Sequence, residues 1–163
     1  MTDKNSLYPQ SQTFRAGVGA VILDGKGRVL ALERRDVKNA WQLPQGGLER
    51  GEEPEQAVYR ELREETGLGP DDIRPLGRAS RLLAYELPAG LRTPKTGRGQ
   101  VHYWFLFGLQ AADKVITLGD KNEFRSWRWL AWDGLLSRVV DFRRAVYAEL
   151  EREFSGRVHA SDH

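Results

Sequence analysis

Apolar and small residues dominate Arg15-Ala-Gly-Val-Gly-Ala-Val-Ile-Leu23, a run read as a strand with successive side chains on opposite faces. Asp24-Gly-Lys-Gly27 is a turn, and Arg28-Val-Leu-Ala-Leu-Glu33 reads as a second strand. Trp41-Gln-Leu43 is extended and runs into Pro44, which disfavours helix in the residue before it. The period then lengthens. Pro54 suits a first helical position, the helix runs through Thr66, and Gly67 supplies its stop. Strands are expected at Ile73–Ala79, Arg81–Leu87, Val101–Leu109 and Ser126–Trp132, with a basic loop at Pro88–Gln100. Two helices follow, at Asp133–Val139 and Phe142–Phe154. The elements do not alternate regularly. The pattern predicts an α+β fold with a mixed sheet between helices, not a doubly wound parallel one. One domain is expected over residues 14–154, between a flexible arm (1–13) and a flexible tail (155–163).

The chain has 163 residues, enough for one core, and 40% hydrophobic with 29% charged residues is a globular balance. It has no cysteine, which removes disulfides, thiolate zinc sites and cysteine nucleophiles. Met1–Thr13 lacks the apolar core of a secretory signal. Tyr103–Leu109, the most apolar stretch, is too short to span a bilayer. A cytoplasmic location without membrane association is expected. The net charge of +2 is compatible with an anionic substrate but does not by itself imply nucleic-acid binding.

The chemistry concentrates in one helix. Glu61, Glu64 and Glu65 are spaced i, i+3, i+4 and share a face, while Val58 and Leu62 line a neighbouring one. Stacked carboxylates repel one another unless a cation sits among them. A hard divalent ion such as Mg²⁺ or Mn²⁺ prefers carboxylate oxygens. The bland alternative is a solvated acidic face. The preceding loop, Pro44-Gln-Gly-Gly-Leu-Glu-Arg-Gly51, weighs against it. Its glycines let backbone groups approach an ion or a phosphate closely.

Loop and helix together read GGLERGEEPEQAVYRELREETGL over Gly46–Leu68. This resembles the Nudix box, G-x5-E-x7-R-E-U-x-E-E-x-G-U, where U is a bulky aliphatic. Gly46, Glu52, Arg60, Glu61, Leu62, Glu64, Glu65, Gly67 and Leu68 all fall on specified positions. The resemblance implies the Nudix fold, an α/β/α sandwich, and hydrolysis of a phosphoanhydride bond in a nucleotide-linked polyphosphate. It implies Mg²⁺ as cofactor, with Mn²⁺ as a possible substitute. Glu61, Glu64 and Glu65 would be catalytic and metal-binding, with a backbone carbonyl near Gln45–Gly46 as a further ligand. Glu52 and Arg60 would pair to hold the loop on the helix, and Gly67 completes the structural motif. Either Glu64 or Glu65 would serve as the base.

Trp41–Gly47, Asn122–Trp129 and Val140–Tyr147 are similar to the bacterial RNA pyrophosphohydrolase and diadenosine tetraphosphate hydrolase branch. Triphosphorylated RNA 5′ ends or dinucleoside polyphosphates are the implied substrates. Nucleoside triphosphates, nucleotide sugars and a non-catalytic nucleotide- or RNA-binding module are the alternatives. Glu123 would add a carboxylate to the metal cluster. Arg15 and Arg35 would bind phosphate, Arg34 replacing Arg35 if the register shifts by one. Tyr85 falls where such hydrolases place a tyrosine, and its other reading is a half-buried strand residue. Where the branch carries a lysine-containing run, this chain has Val101-His-Tyr-Trp104. Lys95 or His102 would compensate, although His102 in an apolar strand also reads as structural. Most of the five tryptophans are expected in the core or at its rim.

Overall fold

A computed structural model describes residues 12–112 and 115–161. Strands β1 (Phe14–Leu23), β2 (Val29–Arg34), β3 (Trp41–Gln42) and β4 (Gln45–Gly47) precede helix α1 (Pro54–Thr66). Strands β5 (Ile73–Arg78), β6 (Leu83–Glu86), β7 (Gly99–Leu109) and β8 (Phe124–Leu130) follow. Helices α2 (Trp132–Leu136) and α3 (Asp141–Ser161) close the order. The mixed sheet is as expected: β1 and β7 run parallel over ten residue pairs, Phe14↔Gly99 to Leu23↔Gly108, and the other pairings are antiparallel.

The opening in this sheet positions the site. β1 and β2 meet as a hairpin at Leu23↔Val29 and then part. β4 takes the vacated edge of β1, while β8 lies along β2. Period-two alternation divides β1 between two cores. Val18, Ala20 and Ile22 pack with Ala57, Val58 and Leu62 of α1. Val21 and Leu23 pack with Tyr147, Leu150 and Phe154 of α3. The sheet therefore lies between α1 on one side and α2–α3 on the other.

Several boundaries differ from expectation. The glycine loop contains β4, three residues long, because its backbone is needed to fill the edge of β1. Trp132 begins α2 instead of ending β8, since Ala131 provides the extended residue before that helix. The last helix continues past Phe154 to Ser161, into the segment read as a tail. Gly156 disfavours helix by only ~1 kcal/mol relative to Ala, a cost that does not require a stop. Of the expected arm, residues 1–11 lie outside the described residues, as do 162–163 of the tail. Among the described residues, no helix is long and apolar enough to cross a membrane.

Candidate active site

Helix α1 carries the acidic side chains, and its ends are fixed by local bonds. Glu53 is extended before Pro54, and its N–H donates to Oε1 of Gln56 at 3.0 Å. At the other end Gly67 takes φ 73°, a left-handed conformation that glycine adopts without penalty, and its N–H donates to the Arg63 carbonyl at 3.1 Å. With Val58 and Leu62 buried on the sheet, Glu61, Glu64 and Glu65 face a small cleft shared with Gly119, Lys121 and Glu123.

The expected pair between Glu52 and Arg60 is present. Arg60 Nε and Nη2 donate to the two Glu52 oxygens at 2.7 and 2.9 Å. Nη2 also donates to the Gly47 carbonyl at 2.9 Å, and Nη1 to Glu61 at 2.8 Å. One guanidinium thus joins the glycine loop to the acidic helix. Its hydrogen bonds hold the Glu52 carboxyl down at about 2. Gly46 is needed for clearance: a methyl group there would overlap the Glu61 carboxylate.

Burial pushes the Glu65 carboxyl well above the ordinary range, helped by the charges of Glu61 and Glu123 and opposed by a hydrogen bond from the Gln45 backbone N–H. Burial also raises Glu61, against the pull of Arg60. Glu65 Oε2 is buried without a hydrogen-bond partner among the described residues. Glu64 is bonded to Lys121 Nζ at 3.1 Å and approached by Arg60 Nη1 at 3.5 Å. Among the described residues, no three acidic or histidine side chains enclose an ion as they stand. Arg60 and Lys121 instead share the neutralisation of Glu61 and Glu64. A crowded set of oxygens with one orphaned carboxylate oxygen nonetheless suits a hard divalent cation.

Two basic clefts adjoin the acidic one. The first, about 170 Å³, includes Arg15, Gln45, Gly46, Glu65, Glu123 and Arg143 in its lining. The second, about 470 Å³, includes Arg34, Arg35, Lys121, Glu123 and Arg143. Arg34 is tied to Asp36 by bonds of 2.9 and 2.7 Å. Among the described residues, Arg35 makes a single long side-chain contact, 3.5 Å to the Phe124 carbonyl. Of the two registers weighed, the structure therefore leaves Arg35 the more available fork. Arg15 lies over Gly47, where any side chain would displace its guanidinium.

Neither Tyr85 nor Lys95 is among the residues that line the two basic clefts. Tyr85 is 6% exposed, packed against His102, Phe142 and Arg143, which leaves its ring unsuited to stacking on a nucleotide base. Its hydroxyl joins Gln45 to Gln100. Lys95 is exposed at a turn held by Thr93 and Thr96 and lines neither basic cleft. His102 does reach the first basic cleft, but it is 1% exposed, and burial holds its imidazole down at about 3, neutral at ordinary pH. Trp41, Trp104 and Trp132 are buried, and Trp127 and Trp129 pack against the core as expected.

Sequence reasoning passed over Arg143, Gln42 and Lys121. Arg143 borders both basic clefts, and its Nη1 donates to Gln42 Oε1 at 2.7 Å. The available signal was its place one helical turn before Tyr147, on the same face as that buried ring.

A family model described as NUDIX domain matches residues 13–150. The chain is 43% identical over 144 residues to the RNA pyrophosphohydrolase of Teredinibacter turnerae, covering 86% of this chain and 84% of that one. It is 37% identical over 160 residues to the RNA pyrophosphohydrolase of Rhodospirillum rubrum, covering 96% of each. Among solved structures, a Caenorhabditis elegans Ap4A hydrolase binary complex matches with a TM-score of 0.66 at 19% identity, covering 87% of this chain and 98% of that one. A MutT protein from Methanosarcina mazei matches with a TM-score of 0.63 at 24% identity, covering 86% and 94%. These two structural likenesses concern the fold alone.

Proposed function

The chain belongs to the Nudix family and is a pyrophosphohydrolase acting on phosphoanhydrides; from that premise, we propose that it removes pyrophosphate from the triphosphorylated 5′ end of RNA in the cytoplasm. The observation that carries the reading is the position of Glu65 and Glu123. Both acids line the same cleft as Arg15 and Arg143, so that carboxylates suited to a cation adjoin forks suited to phosphate. The names of the curated relatives support RNA as the substrate.

Glu61, Glu64, Glu65 and Glu123, with a backbone carbonyl at Gln45 or Gly46, would hold Mg²⁺, which Mn²⁺ could replace. When bound, the ion polarises a phosphoryl oxygen and lowers the pKa of water. Arg15, Arg35 and Arg143 bind the triphosphate and offset the charge that builds on it during attack. Glu64 is less buried than Glu65 and is the better placed to orient the attacking water and take its proton. The water oxygen bonds to phosphorus, and the α–β anhydride bond breaks. The RNA keeps a 5′-monophosphate, and pyrophosphate leaves.

The test is product analysis with Mg²⁺ on triphosphorylated RNA, a dinucleoside tetraphosphate and free nucleoside triphosphates side by side. Preferential release of pyrophosphate from RNA is expected. Preference for the dinucleotide, or for free nucleotides, would overturn the choice of substrate while leaving the hydrolase class intact.

A further inference from the structure

Tyr85 is tied into the fold at both its hydroxyl and its ring. Its hydroxyl donates to Gln100 Oε1 at 2.7 Å and accepts from Gln45 Nε2 at 3.3 Å. Gln45 and Glu65 in turn line the same cleft. On its faces the ring stacks with His102 at 5.7 Å between centroids and carries the Arg143 guanidinium at 5.6 Å. Thus one phenol touches, at its tip, a residue that shares a cleft with an acid of the cation site. At its ring it touches an arginine of the basic clefts.

We propose that Tyr85 is a positioning residue that sets Glu65 through Gln45 with its hydroxyl and Arg143 through its ring, so that the two halves of the site keep one register. The inference rests on the assignment of Glu65 to cation binding. Gln45 is buried, and its Oε1 has no partner among the described residues. The phenol therefore supplies the one hydrogen bond found for the Gln45 side-chain amide among the described residues. Without it, Gln45 can turn, and the backbone beside Gly46 loses an anchor. The cation–π contact works separately, limiting where the Arg143 fork can swing.

The two halves predict different defects. Tyr85→Phe keeps the ring and removes the hydroxyl. Turnover should fall about tenfold, the scale of one hydrogen bond lost in a polar network, while KM changes by less than about twofold. Mn²⁺ affinity of the substrate-free protein, read by electron paramagnetic resonance, should weaken by several-fold. Tyr85→Leu removes the ring as well, and KM should then rise. Urea midpoints of each variant separate these effects from a general loss of stability. If Tyr85→Phe binds Mn²⁺ and turns over as the parent does, the positioning role is wrong. If the parent itself binds no Mn²⁺, the metal-site reading fails before Tyr85 is tested.

Discussion

Arg60 grips both oxygens of Glu52 across a gap of eight residues, and the same guanidinium reaches the Gly47 carbonyl. This bond closes the glycine loop onto α1. Both partners are largely shielded, with side chains 22% and 13% exposed. Arg60→Ala should destabilise the domain by about 2 kcal/mol, the order expected when charge-assisted hydrogen bonds are lost. Urea denaturation at neutral pH measures this. A loss within experimental scatter would mean that the loop is held by other contacts.

The same bond sets a pH dependence. The Glu52 carboxyl sits at about 2 in the fold, against an ordinary value of 4.5. A depressed carboxyl contributes stability that is fully present above about pH 4.5. That contribution is lost as pH falls toward 2, because the unfolded chain takes up the proton first. Urea midpoints of the parent should therefore fall more steeply over this window than those of Glu52→Gln. Parallel curves for the two proteins would contradict the assignment.

Gly46 tests clearance without touching a charge. A methyl group there meets the end of a flexible side chain, so Gly46→Ala should fold. Glu61 must move aside, however, and turnover should drop by about tenfold or more. Circular dichroism and steady-state kinetics together check this. A folded variant with undiminished turnover would mean that the position of Glu61 is unimportant.

Arg34 and Arg35 are adjacent in sequence but differ in their bonding. Asp36 occupies the fork of Arg34, whereas among the described residues the Arg35 side chain makes only one long carbonyl contact. Arg35→Ala should raise KM for a triphosphorylated RNA by about tenfold, the scale of a charge-assisted contact. Arg34→Ala should change it by less than about twofold. Reversal of that order would exchange their roles.

The parts of the site within one stretch of chain were legible in the sequence. The i, i+3, i+4 spacing of Glu61, Glu64 and Glu65 follows from helix geometry alone, and the glycine loop preceded them in register. Parts assembled from distant segments were harder to read. Arg143 reaches the basic clefts only because α3 packs across the sheet beside Gln42. Lys121 meets Glu64 from a segment 57 residues away. For Tyr85 the sequence offers two readings, and a local signal favours the buried one. Leu83, Tyr85 and Leu87 alternate with exposed residues, and that period places Tyr85 on the buried face. Lys95 carries its charge on an exposed turn, and charge alone says nothing about where such a turn points.

Cation binding at the acidic cleft can be measured without any choice of substrate. Titration of Mn²⁺ into the parent and into Glu65→Gln, followed by electron paramagnetic resonance, should give saturable binding to the first. Affinity in the second should be at least about tenfold weaker, with the variant still folded. Turnover of Glu65→Gln on triphosphorylated RNA should fall by roughly a hundredfold or more. Equal Mn²⁺ affinity in the two proteins, or no saturable binding to the parent, would contradict the role given to these carboxylates.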